Sequence, residues 1–263
     1  MPAPAYGSPI YQVRGINLKS VPLGEYDRLL TILTRERGLV KAVAVGARKH
    51  QSGMSARSMA FMVNDLVLAK GKSLDRVKQC DVVQGFRGIS QNLLKLTCAQ
   101  YWGEITLKQA LTDQSQEELF LVLVEHLTRL DRCATDRVWA YLVHGVYHLL
   151  AIAGFAPLIH VCCITQTAIE GGQAGFSVVG GGLVALDGDL SSQSTSSKIS
   201  HYLNRQEVRA MQELGKVDLS PEVMALPMEV WRTLEQVLRA YTQYHFDQPI
   251  YTASMLDNFP VLP

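Results

Sequence analysis

Two regimes of hydrophobic spacing divide this chain of 263 residues. Over the first 85 or so positions, apolar residues come in short runs cut by glycine. Tyr11–Lys19 alternates in part, and Arg28–Thr34 carries Leu29, Leu30, Ile32 and Leu33. Leu39–Val45 supplies Val40, Val43 and Val45, and Val63–Ala69 and Leu74–Val83 follow. Gly24, Gly38, Gly46, Gly53 and Gly71 punctuate them, the signature of strands and turns. From Ser90 the spacing becomes helical. Leu93, Leu94, Leu96, Tyr101, Ile105 and Leu107 mark one helix and Glu117–Leu130 a second. Asp136–Ile152 is a third, with Thr135 or Asp136 as its cap and an end near Gly154 and Pro157. Lys198–Leu214 and Met228–Phe246 read as two more. An irregular stretch, 158–197, contains Gly180–Gly182 and the polar tract SSQSTSSK.

The expected fold class is α+β, with domains at 1–86 and 87–263. Five short strands suit a small barrel, of which the OB-fold is the best-known nucleic-acid binder; an SH3-like barrel fits the pattern almost as well. The apolar fraction of 48% against 19% charged residues describes an ordered globular chain. The most apolar stretch, Val138–Ala156, is broken by two His and two Gly, so no bilayer-spanning run is found. The opening MPAPAYGSP lacks a signal peptide's basic flank and apolar core, so a cytoplasmic protein is expected. Cys80, Cys98, Cys133, Cys162 and Cys163, odd in number, read as free thiols.

Charge changes the picture through its distribution. Residues 1–87 hold 14 Lys and Arg against 6 Asp and Glu, a balance of +8; the remaining residues hold 11 against 18, a balance of −7. A basic barrel joined to an acidic helical part suits a polyanion on the barrel, either DNA or RNA; by charge alone a solvated basic surface with no ligand fits equally well.

Catalytic motifs are missing: there is no phosphate-binding P-loop, no strand followed by G-x-G-x-x-G, no nucleophile elbow and no H-E-x-x-H. His144 and His148 share a helix face, as metal-binding pairs do, but without carboxylates nearby they read as core or interface histidines. Glu25 and Asp27 flank Tyr26 on a loop and read as structural or capping; a scattered site with His50 is the enzymatic alternative. Arg35, Arg37, Arg48 and Lys49 fall on turns, as do Lys70 and Lys72, while Arg76 and Lys78 share one strand face. Aromatic candidates for base stacking are few: Tyr6, Tyr11, Tyr26, Phe61 and Phe86. That scarcity favours backbone contact over base readout.

The segments PLGEYDRLL (Pro22–Leu30), LTRERGLVKAVAVGARK (Leu33–Lys49) and GFAPL (Gly154–Leu158), with the run from Tyr11 before them, resemble the RecO family of bacterial recombination mediators. The resemblance is dense over 11–80 and thin after 160. It implies an N-terminal OB-fold, a helical C-terminal domain, and strand annealing in recombination and repair without an active site or cofactor. It also implies a nucleoid-associated location, with single- and double-stranded DNA, RecR and single-strand DNA-binding protein as partners. Its motifs make Arg28, Arg35, Arg37, Lys41, Arg48 and Lys49 the leading DNA contacts, with Lys70, Lys72 and Arg76 beside them. Arg129 and Arg132, near Arg137, are candidates for holding the acidic tail of the single-strand binding protein; a helix-end charge cluster explains them equally well.

Many members carry a four-cysteine zinc site. Here the first ligand position is Cys162, but the others fall on Thr165 and near Ala185 and Gly188. The expectation is a degenerate, metal-free zinc-ribbon-like insertion whose hairpin is held by Phe176, Val178 and Leu183, since a closed site needs four donors.

Overall fold

A computed structural model describes residues 9–186 and 199–259. Tyr6, Gly188, Lys198 and the polar tract lie outside the described residues. The chain forms two compact units: residues up to Asn92 with Thr106–Asp131, and Leu93–Ile105 with the residues from Arg132 onward.

In the first unit, β1 (Ile10–Leu23), β2 (Asp27–Thr34), β3 (Gly38–Ala44), β4 (Val63–Ala69) and β5 (Asp75–Gln84) close a barrel in the order β1-β2-β3-β5-β4. All neighbours are antiparallel except β3 and β5, which meet in parallel at Ala42–Asp75 and Val43–Arg76. Successive strand side chains point to opposite faces. Val13, Leu30, Ile32, Ala42, Ala44, Leu66, Leu68 and Val77 therefore fill the interior. β1 runs four residues beyond the expected end at Lys19, because a bulge between Asn17 and Lys19 resets its alternation. The buried Asn17 and Asn64 amides both donate to the Arg57 carbonyl, and Asn17 also donates to that of Met59. These bonds fasten the β3–β4 connection and its short helix α1 (Met54–Arg57) to the barrel.

A short helix α2 (Arg87–Ser90) follows the barrel. α3 (Leu93–Gln109) contributes its residues through Ile105 to the second unit and the rest to the first. α4 (Glu117–Arg132) groups with the barrel through Asp131. The segment before it docks on the β2–β3 turn: the Leu39 N–H donates to the Leu111 carbonyl, and the Gln116 N–H to that of Arg35. A Cβ on Gly38 (φ +65°) would lie 2.0 Å from the Leu111 carbonyl oxygen, so this turn requires glycine.

The second unit is built around α5 (Val138–Ile152), which is apolar on nearly every side and pairs with α8 (Met228–Phe246) through a stripe of Trp231, Leu234, Leu238 and Tyr241. The expected Thr135 or Asp136 cap is not formed; a 3₁₀ turn (Thr135–Arg137) leads into α5 with no side-chain cap. The helix expected from Lys198 begins at Arg205. Asn204 accepts the Gln206 and Glu207 N–H groups while Glu207 accepts that of Asn204, a reciprocal cap that fixes α6 (Arg205–Glu213). The preceding β8 (His201–Leu203) pairs with β6 (Ala174–Ser177), which also pairs with β7 (Gly182–Ala185). The expected hairpin is thus part of a three-stranded sheet; Phe176 and Leu183 are fully buried in it, while Val178 is only half-buried. Two short helices, α7 (Pro221–Met224) and α9 (Ala253–Leu256), complete the unit.

The residues at the expected zinc positions do not fit a metal. Cys162 is buried and its sulfur accepts the Thr165 N–H, the Thr165 hydroxyl is bonded to Thr167, and Ala185 has no donor side chain. Among the described residues no cluster of three or more His, Cys, Asp or Glu is disposed to hold a metal ion, and no helix is long and apolar enough to cross a membrane. His144 is buried with Nε2 2.9 Å from the Lys216 carbonyl oxygen, and its ring lies 4.3 Å from that of His148.

Candidate nucleic-acid interface

The basic residues of the barrel divide among three places. The first is an outer strand face. Strand register aligns Lys19 with Thr31 and Thr31 with Lys41, then Leu29 with Val43 and Val43 with Arg76. Partners in register share a face, so Lys19, Lys41 and Arg76 form an exposed row, with Lys78 two residues further along β5. Lys19 was not among the sequence candidates. The bulge just before it sets its direction, and nothing in the local pattern marks a bulge.

The second place is the barrel end where the β1–β2 turn meets the loop after β3. Ala47 is fully buried and anchors that loop, leaving Arg48, Lys49 and His50 exposed just beyond it. The Arg48 N–H donates to the Tyr26 carbonyl at 2.8 Å and its guanidinium to the Gly24 carbonyl at 2.8 Å. The Gly46 N–H donates to Asp27 Oδ1 at 2.7 Å. Lys49 Nζ lies 5.6 Å from the centre of the Tyr26 ring. Asp27 thus staples two loops, while Glu25 is exposed at the turn. Asp27→Ala is expected to lower stability by about 1 kcal/mol through the lost hydrogen bond, and Glu25→Ala to change nothing. Urea unfolding of the two variants checks this, and equal midpoints for both would contradict the stapling role.

The third place is the opposite end, formed by the β2–β3 turn and the β4–β5 loop. Two of its cations are already matched to carboxylates. Arg35 Nε donates to Glu117 at 3.0 Å, and Lys70 Nζ lies 3.9 Å from both Asp75 and Asp113. The Arg37 guanidinium covers the Tyr11 ring at 4.4 Å, and the Tyr11 hydroxyl donates to Asp75. Burial and that hydrogen bond push the Tyr11 phenol far above its ordinary range. Lys72 is exposed on the same loop.

Arg28 differs from the other candidates. It is half-buried on the inward side of β2, in register with Ala44, and donates to Ser20. A further flank of the barrel, around Gln12, Arg14, Glu36, Asp65 and Asp81, is close to charge-balanced: Arg14 pairs with Asp65 at 2.7 Å and Arg57 with Asp81 at 3.8 Å. By contrast, Lys19, Lys41, Arg48, Lys49 and Arg76 form no ion pair among the described residues. On α4, Arg129 is bonded to Glu125 at 2.8 Å, and Arg132 is exposed at the helix end.

Comparison with known proteins places these features in a lineage. The chain matches the family model "Recombination protein O N terminal" over residues 9–86 and "Recombination protein O C terminal" over 90–252. It is 41% identical to the DNA repair protein RecO of Trichodesmium erythraeum, over 95% of this chain and 94% of that one. It is 44% identical to the DNA repair protein RecO of Gloeobacter violaceus, over 94% and 92%, and 40% identical to that of Acaryochloris marina, over 96% of each. The chain belongs to the RecO family. Its N-terminal match spans all five strands of the barrel, and the OB-fold followed by a helical region is the fold expected of RecO. Within this RecO chain the nine basic sequence candidates do not form one cluster. Lys41, Arg48, Lys49, Lys72 and Arg76 stand free of carboxylates, Arg37 lies over the Tyr11 ring, Arg35 and Lys70 are paired, and Arg28 turns inward.

Proposed function

We propose that this RecO family member works in DNA repair and homologous recombination as a DNA-binding mediator that anneals complementary strands. It acts in the cytoplasm at the nucleoid and has no catalytic step or cofactor of its own. Residues 1–86 contact single- and double-stranded DNA, and residues 87–263 dock RecR and single-strand DNA-binding protein, with Arg129 and Arg132 at the rim of the latter contact. The observation that carries the reading is the line of unpaired cations on the barrel: Lys19, Lys41 and Arg76 across one face, Arg48 and Lys49 at its end. A cation without a carboxylate partner can release a phosphate counterion without first breaking an ion pair. Arg35 and Lys70 are secondary contacts because each has an ion pair to break first, Arg37 is secondary because its guanidinium covers the Tyr11 ring, Lys72 extends their loop, and Arg28 supports the barrel end.

The test is DNA binding and strand annealing across a salt series. Arg48→Ala with Lys49→Ala is expected to lower the slope of log affinity against log salt by about 1.4 to 1.8, two phosphates' worth. Arg35→Ala with Lys70→Ala should lower it by less. No binding and no annealing by the parent protein at low salt removes the proposal. Tighter binding to RNA than to DNA of the same sequence would turn the reading to an RNA-binding OB-fold.

A further inference from the structure

The scarcity of aromatic residues in the basic half suggests a surface that grips backbone alone, and among the described residues one of them stands apart. Phe61 and Phe86 are buried, 4% and 6% exposed. Tyr11 spends its hydroxyl on Asp75 and one ring face on Arg37. Tyr26 is 54% exposed, and it stands at the barrel end where the cations lack carboxylate partners.

We infer that Tyr26 is a stacking platform for one unpaired nucleobase, with Arg48 and Lys49 on the adjoining phosphates, so that this end of the barrel selects single strands over duplex. The inference rests on the DNA-binding reading and specifies which form of DNA that end takes.

Three features carry it. First, the ring is presented on a rigid mount. The Tyr26 carbonyl accepts the Arg48 N–H, the Gly24 carbonyl accepts the Arg48 guanidinium, and Asp27 accepts the Gly46 N–H, so little order remains to be gained on binding. Second, its neighbours are mixed as a nucleotide's parts are mixed. Leu23 at the end of β1 and Val45 just after β3 are exposed apolar side chains at the same barrel end, and Lys49 stands 5.6 Å from the ring centre. An apolar rim suits a base and an ammonium suits its phosphate. Third, the local fold does not account for the ring's exposure. A cation over an exposed ring is a weak contact, and the hydrogen bonds that close the turn use backbone groups and the Asp27 and Arg48 side chains, not the Tyr26 side chain. In a duplex each base is already stacked and paired, so an outward ring finds no π-face; an unpaired base offers one whatever its identity.

The experiment measures affinity by fluorescence anisotropy for three labelled ligands of equal length: an oligothymidine strand, the same strand made abasic, and a duplex. Tyr26→Leu keeps an apolar side chain at the turn and removes the π-face. It is expected to weaken the oligothymidine complex about 5- to 150-fold, the range for stacking one base, and to leave the abasic strand, the duplex and the salt slope unchanged. Tyr26→Phe should bind all three as the parent does, which separates stacking from the hydroxyl and from any damage to the turn. An unchanged oligothymidine affinity in Tyr26→Leu overturns the inference and leaves DNA binding intact. An equal loss on all three ligands also overturns it, by showing a structural role. If the parent binds none of the three, the DNA reading itself fails and the inference falls with it.

Discussion

Arg239→Met is expected to lose about 3 to 5 kcal/mol of stability near pH 8, the cost of leaving a buried carboxylate without its partner, and markedly less near pH 5. Arg239 holds Glu235 through two hydrogen bonds of 2.9 and 2.7 Å and Asp257 through two more of 3.0 and 2.8 Å. The Glu235 side chain is 2% exposed. Burial pushes its carboxyl above the ordinary range even with the guanidinium beside it. A carboxyl whose folded pKa is raised takes up its proton at higher pH in the native state than in the unfolded chain. Its contribution to stability therefore falls as pH rises from the unfolded value through the folded one. Asp257 has the opposite sign: its hydrogen bonds to Arg239 hold its carboxyl below the ordinary range, so its contribution is lost as pH falls toward the folded value. Removing Arg239 deletes the Asp257 contribution and leaves Glu235 as a buried charge without its counter-charge, a cost that protonation relieves. Urea midpoints at pH 5 and pH 8 read the difference, and a deficit of the same size at both pH values would contradict this account. Replacing Glu235 and Arg239 together with Leu and Met should recover most of the loss, because the buried charge and its counter-charge leave together.

Gly145→Val is expected to cost about 3 kcal/mol, at the upper end for overpacking a core. A Cβ at this position in α5 would lie 2.5 Å from two carbons of the Trp102 ring and 2.7 Å from its nitrogen. The indole cannot retreat: it is fully buried and its N–H donates to the Leu142 carbonyl at 3.2 Å. Gly145→Ala meets the same ring, but its better helix propensity, about 1 kcal/mol over glycine, offsets part of the cost. Thermal unfolding should therefore rank the parent above Ala and Ala above Val. Adding Trp102→Phe, which removes the crowded edge of the ring, should make the Val substitution less damaging than it is alone. A Gly145→Val protein with the parental midpoint would show that the two helices can part without penalty.

The barrel was legible because its strands obey a period of two between glycine turns, and α5 and α8 because their apolar positions are dense or striped. Where the sequence reading fell short, the cause was a local event with no signature of its own. The bulge after Asn17 lengthened β1 and turned Lys19 outward, and the reciprocal cap of Asn204 and Glu207 moved the start of α6. The candidate site was legible by residue type but not by circumstance. Arg35 and Glu117 are 82 positions apart, so no local pattern shows that this cation is already matched. Nor does composition distinguish the exposed Tyr26 from the buried Phe61 and Phe86; the loops that mount one and cover the others decide it.

The docking of the 111–117 segment on the β2–β3 turn sets an order for the birth of the molecule. When the last barrel strand has left the ribosome at Gln84, the Leu39 N–H has yet to meet the Leu111 carbonyl, and the Arg35 carbonyl has yet to meet the Gln116 N–H and the Ser115 hydroxyl. The Arg35 guanidinium also waits for Glu117. Until about thirty more residues emerge, that turn keeps its polar groups in water. The nascent barrel is therefore an incomplete object, whose final clasp comes from chain synthesised after its last strand.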